Sequence, residues 1–143
     1  MIPAICTLLT ADATLLTYLT GGVHNGITVH EISRQNTPAA FDANKELLPC
    51  VLVKPEAQTP WGPNRDSARL YVQMFFYQRF GYGSIEAAAN RVYQLLHRAR
   101  FATMGGDGMA EIHHADDLRG MEDQALGAAL ITSRYVGHIR RVR

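Results

Sequence analysis

The chain reads as a single α+β domain, a mixed and mainly antiparallel sheet with two helices packed against it. Three observations predict this. Residues 70, 72, 74 and 76 are Leu, Val, Met and Phe, which alternate as one face of a strand does. After Gly81-Tyr82-Gly83 the apolar spacing changes to Ile85, Ala88, Ala89, Val92, Leu96 and Ala99, one stripe of an amphipathic helix. At 143 residues the chain is long enough to bury one real core and short enough to need only one.

Helical spacing opens the chain, with Ile5, Leu8, Leu9, Leu15, Leu16 and Leu19 apolar and Pro3 acceptable in a first turn. Thr10 or Asp12 can cap a second segment, so a break is expected there. Gly21-Gly22 ends the helical region. Residues 27–32 read as a short strand, with Ile27, Val29 and Glu31 on one side. Residues 33–49 mix polar and turn formers with no period and read as a long loop, a class that is often functional or mobile. Residues 50–54 are almost wholly apolar, as in a central strand. Residues 55–67 carry three prolines and the only tryptophan, and read as an extended hairpin loop reaching out from the body. The long strand over 69–79 follows. Ser84 is the expected N-cap of the next helix, with Glu86 favourable in its first turn. Gly105-Gly106-Asp107-Gly108 breaks the chain, and residues 109–116 and 128–141 read as two closing strands joined by the acidic turn DLRGMEDQ. The expected order is α-β-β-β-α-β-β, without internal repeats.

Apolar residues make up 47% and charged residues 19%, ordinary for a globular domain. No apolar run approaches the roughly 20 residues that span a bilayer. The opening Met-Ile-Pro-Ala-Ile-Cys lacks the basic stretch of a signal peptide, so an intracellular site of synthesis is expected. Cys6 and Cys50 are too few and too far apart for a disulfide framework or zinc knuckle, and read as reduced, buried thiols. A net charge of +1 gives no field that would draw the chain onto nucleic acid. Lys45 and Lys54 are the only lysines among 14 cations. Arginine is enriched at subunit contacts and lysine depleted there; drift toward arginine codons gives the same bias.

The densest titratable cluster is His113-His114 with Asp116-Asp117. Successive strand residues face opposite ways, so the two histidines cannot ligate one ion from a regular strand. His114 and Asp116 can share a face but lack a third ligand. No HExxH, CxxC or EF-hand pattern occurs. The cluster therefore reads as solvated or hydrogen-bonded histidines. Neither GGDG at 105–108 nor the Gly81-Tyr82-Gly83 turn has the context of a phosphate loop. No serine or cysteine has an activating signature, so no catalytic residue, metal site or cofactor is expected. Two stripes carry more. One face of the long strand reads Arg69, Tyr71, Gln73, Phe75, Tyr77 and Arg79, and Arg91, Gln94 and Arg98 are spaced to share one side of the helix. Arginine and aromatics dominate protein–protein hot spots. The alternative is that Tyr71 and Phe75 pack beneath a loop or the first helix while the arginines snorkel. His138-Ile139-Arg140-Arg141-Val142-Arg143 makes a basic end that reads as a solvated tail.

Across most of its length the chain resembles the tail terminator (tail completion) proteins of long, non-contractile phage tails. The similarity rests on the order and spacing of several stretches. LLTADATLLTYLTGGV is a leucine-rich helical segment leading to Gly-Gly, and LLPCVLVKPE is a buried strand introduced by Leu-Pro. YVQMFFYQRFGYGSIEAAANRVYQLL is a strand, glycine-bearing turn and helix, and two closing strands follow. The loop PEAQTPWGPNRDS departs from that pattern in length and proline content. The resemblance implies a homomeric ring, usually of six subunits, that caps the tail tube protein, ends its polymerisation and docks the head–tail connector protein. Double-stranded DNA would pass through the lumen unread, no membrane would be involved, and the protein would be made in the bacterial cytoplasm and end in the virion. Arg69, Tyr71, Phe75, Arg79, Arg91 and Arg98 are then the expected subunit contacts, and Trp61, Asn64 and Arg65 the expected contacts with the next ring. A head–tail adaptor of the same neck is the alternative, and a small metal-dependent enzyme using His113, His114, Asp116 and Asp117 is a third.

Overall fold

The computed structural model describes residues 1–60, 62–63, 67–102 and 109–140. It is an α+β domain, with three α-helices and one six-stranded mixed sheet. The helices are α1 (Ile2–Thr10), α2 (Ala13–Tyr18) and α3 (Gly83–Leu96). The strands are β1 (Val23–Asn25), β2 (Cys50–Pro60), β3 (Ser67–Gln78), β4 (Arg100–Ala102), β5 (Met109–Asp123) and β6 (Ala128–Arg140). The sheet order is β1-β2-β3-β6-β5-β4, with only β1–β2 parallel. Among the described residues there is one more helix and one more strand than the sequence order predicts.

The break in the first helix falls where expected. α1 ends at Thr10, and the Asp12 side chain accepts from Leu15 N–H at 2.9 Å to start α2. Gly22, with φ +86°, turns the chain into β1. The expected strand over 27–32 is a turn instead. Asn25 Oδ1 accepts from Ile27 N–H, and Asn25 C=O accepts from Thr28 and Val29 N–H, so the local bonds compete successfully with a ladder. The strand lies earlier, at Val23–Asn25.

α3 buries the predicted stripe of Ile85, Ala88, Ala89, Val92 and Leu96. It starts one residue before Ser84, whose hydroxyl does not cap it. Gln78 Oε1 reaches from β3 and accepts from Ser84 N–H at 3.1 Å and Ile85 N–H at 3.2 Å. The helix ends at Leu96, and Arg98 follows in the left-handed region at φ 67°.

Strand alternation then divides the side chains between two cores. Val51, Val53, Val72, Met74, Phe76, Ile112, Ile131 and Tyr135 point at the helices and pack with Ile5, Leu9, Leu15, Leu19 and the α3 stripe. On the opposite face, Cys50, Leu52, Tyr77, Ala128 and Leu130 pack with Ile32, Ala40 and Leu47. The long segment between β1 and β2 is therefore ordered and covers one end of the second sheet face. Thr37 and Ser33 bond each other through hydroxyl and backbone, and Asp42 Oδ1 accepts from Asn44 and Glu46 N–H.

Two closing features differ from expectation. The prolines at 55 and 60 lie within β2, which pairs with β3 as far as Pro60↔Ala68, so the extended loop is largely a strand arm. Most of the acidic segment DLRGMEDQ also belongs to a strand: β5 runs on to Asp123, and residues 124–127 make the turn. Bulges between His114 and Asp116 and between Leu118 and Met121 hide its alternation in the sequence.

Candidate interaction surface

The second sheet face is covered at one end by the segment before β2 and, among the described residues, carries no helix at the other. None of the buried residues of α1, α2 or α3 belongs to the cluster on that face. Register places Lys54, Gln73 and Arg134 across three neighbouring strands there, with Tyr71↔Val136 and Arg69↔His138 further toward the arm. The predicted strand stripe is therefore a real face.

Its residues are not equivalent. The Arg134 guanidinium lies 5.4 Å from the Tyr71 ring centroid and binds Asp116 at 2.7 Å and, more loosely, Glu56 at 3.8 Å. Tyr71 is half-buried beneath that guanidinium, not beneath a helix. Phe75 leans on the second core, with Lys54 Nζ 5.7 Å from its ring centroid. Arg69 is half-buried beside His138, and burial first, then the Arg69 and His113 charges, lower the His138 pKa. Arg79 pairs with Glu46 and stacks on Phe80 at 4.8 Å, so it ties the covering segment to the end of β3.

The helical stripe is not assembled. Arg91 makes two 2.8 Å bonds from Nε and Nη2 to the Asp12 carboxylate, clamping α3 to the cap of α2. Its Nη1 donates to Gln94 at 3.3 Å. Arg98 is exposed but lies beyond the helix end, so the helical face is Arg91 and Gln94 alone. Trp61, Asn64 and Arg65 lie outside the described residues, as does the GGDG segment.

The histidine cluster is structural in its contacts. The bulge turns His114 and Asp117 to one face, with Nε2 and Oδ1 2.8 Å apart, and sends Asp116 to the other to meet Arg134. The shared face that regular alternation would allow His114 and Asp116 is therefore not formed. His113 Nε2 instead lies 2.9 Å from Glu111. His97 Nδ1 accepts from His114 N–H at 3.1 Å while its ring stacks on Tyr93 at 4.8 Å. Among the described residues no three His, Cys, Asp or Glu side chains are placed to hold a metal ion. Burial pushes the thiol pKa values of Cys6 and Cys50 up to about 11 and about 12, so both stay protonated near neutrality. Cys50 is buried and Cys6 half-buried.

Sequence reading puts Tyr71 and Phe75 on one strand face but misses Arg134, with its partners Glu56 and Asp116, over Tyr71. Strand register brings those three in from β2, β5 and β6, and no local pattern announces it. No helix among the described residues is long and apolar enough to cross a membrane. No family model matches the chain, and no curated protein matches it in sequence.

Proposed function

We propose that the protein is a subunit of a homomeric ring, of six copies, that caps a phage tail tube, ends tube polymerisation and joins the tail to the head connector. The observation that carries this reading is the second sheet face. An arginine–aromatic surface without a helix over it sits beside a strand arm whose residues 55–60 are all exposed. Such surfaces suit contact with other subunits. The order of helix, Gly-Gly turn, Leu-Pro-led strand, long strand, glycine turn and helix supports the same reading through its resemblance to tail terminators.

The edges of the sheet favour contact through faces over backbone pairing. Pro55 and Pro60 have no N–H to offer along the β2 arm. On β5 the two bulges and the charges of Asp116, Asp117, Arg119, Glu122 and Asp123 interrupt any added strand. Side chains also occupy edge groups: His97 takes the His114 N–H, and Tyr82 Oη donates to Met121 C=O at 2.6 Å.

Native mass across a concentration series, with negative-stain images of large species, tests the reading. Rings with a central hole near six subunits are expected, and a protein that stays monomeric even with tail tubes present would end it. Tyr71→Ala is the cleaner probe of the face, because Phe75 also supports the second core. It is expected to abolish the ring while the fold survives. An unchanged ring would remove this face as the contact.

A further inference from the structure

The chain leaving α3 lies along the outer edge of β5 and closes it with three bonds. Arg98 N–H donates to Ile112 C=O at 2.6 Å, and Ile112 N–H donates to Ala99 C=O at 2.8 Å. His114 N–H donates to His97 Nδ1 at 3.1 Å. The first two join backbone groups and do not titrate. The third ends on a ring nitrogen, and it forms only while that nitrogen carries no proton. The His97 ring is therefore neutral in this contact, with its proton on Nε2.

The ring is held from several sides. Tyr93 of α3 stacks on it at 4.8 Å, and the His113 ring of β5 meets it edge-on at 5.6 Å. His114 stands against Tyr93 at 5.4 Å and against Tyr135 of β6 at 5.2 Å. The nearby acids are bound to other cations. Glu111 pairs with His113 at 2.9 Å and with Arg100 of β4 at 3.1 Å, and Asp117 pairs with His114 at 2.8 Å. Among the described residues no carboxylate pairs with His97, and the next residue is the cation Arg98. An imidazolium has two N–H donors and no acceptor. A proton on Nδ1 thus sets N–H against the His114 N–H, beside His113 and Arg98. The Tyr93 face favours the cation but does not restore the acceptor.

We propose that His97 is a proton-operated latch on the β5 edge. Neutral, it holds the His114 N–H and shuts the edge; protonated, it releases that amide while the two bonds at Ile112 stay closed. The released N–H is a backbone donor that a partner strand can take, and the closed form withholds it. The latch does not depend on ring formation.

Amide-resolved hydrogen exchange of the whole protein tests it, with ¹⁵N shifts of the histidine rings followed through the same pH series. Between about pH 7.5 and 5.5, where histidines change charge, protection of the His114 amide is expected to fall about tenfold after correction for intrinsic exchange. Ile112 is expected to keep its protection, and the fall is expected to follow protonation of His97 Nδ1. His97→Phe keeps a ring on Tyr93 without an acceptor, so its His114 amide is expected to be weakly protected at every pH. Constant protection of His114 in the unaltered chain overturns the proposal. So does a fall that Ile112 shares, one that follows His113 or His114 instead, or a pH response that survives in His97→Phe. Should that variant fail to fold, the comparison of ring shift with protection in the unaltered chain decides alone.

Discussion

At the scale of single residues, Asp12 has two tasks that separate cleanly. One oxygen caps α2 through Leu15 N–H, and both bind the Arg91 guanidinium from α3. Asp12→Asn keeps an acceptor for the cap but loses the charge, whereas Asp12→Ala loses both. The melting temperature at pH 7 is expected to fall in the order unaltered, Asn, Ala. Equal values for Asn and Ala would remove the cap from this account. Gly26 is a second decisive position. Its N–H donates to Val53 C=O at 2.7 Å, and a Cβ there would sit 2.6 Å from that oxygen and 2.4 Å from Lys54 Cγ. The clash includes backbone, so Gly26→Ala is expected to cost about 1–3 kcal/mol in denaturant unfolding. A neutral result would mean β1 can shift away from β2 freely.

At the scale of elements, α3 offers a direct contest between sequence and structure. The sequence names Ser84 as the cap, yet the N–H groups of Ser84 and Ile85 are held by Gln78 from the preceding strand. Gln78→Ala is therefore expected to cost about 1 kcal/mol, as lost caps typically do, and Ser84→Ala under about 0.5 kcal/mol. The reverse ranking in chemical denaturation would restore Ser84. Elements held by their own periodicity were legible: the α3 stripe, the β3 alternation and the break between α1 and α2. Elements decided by partners were not. Asn25 folds its bonds back into a turn, so Ile27 ends 53% exposed in place of a strand. The β2 prolines lie on an edge where a missing N–H costs no ladder bond, so they extend a strand instead of ending it. The β5 bulges shift its alternation twice after His114, and with it the side on which each following carboxylate lies. The stripe on β3 was visible for the same reason as its strand, while Arg134 over Tyr71 depends on a register across strands that no local spacing encodes.

At the scale of the whole molecule, the shifted titrations set a stability profile with two falling limbs. The hydrogen bond from Arg91 is the main cause that holds the Asp12 carboxyl at about 2, and that from Arg100 the main cause that lowers Glu111. For Asp117 burial raises the pKa, but the bonds from His114 and Ser133 with the nearby Arg119 outweigh it and the net direction is down. A group lowered on folding binds its proton more readily in the unfolded chain, so its contribution is full above the unfolded value and lost as pH falls through the folded one. The three carboxylates therefore withdraw stability between about pH 4.5 and 2. His138, also lowered, begins to withdraw it below about 6.5. Burial acts oppositely on Cys6, Cys50, Tyr77 and Tyr135, all raised. Their contribution is full below the unfolded values and is lost as pH climbs above about 9. Melting temperature is thus expected to hold a plateau from about pH 6.5 to 9, falling on both sides. Scans from pH 2 to 11 at fixed ionic strength check this. The Asp12→Asn variant must show a shallower acid limb than the unaltered chain, since Asn cannot titrate. An acid limb of unchanged slope would mean that the Asp12–Arg91 clamp does not carry the acid sensitivity of the fold.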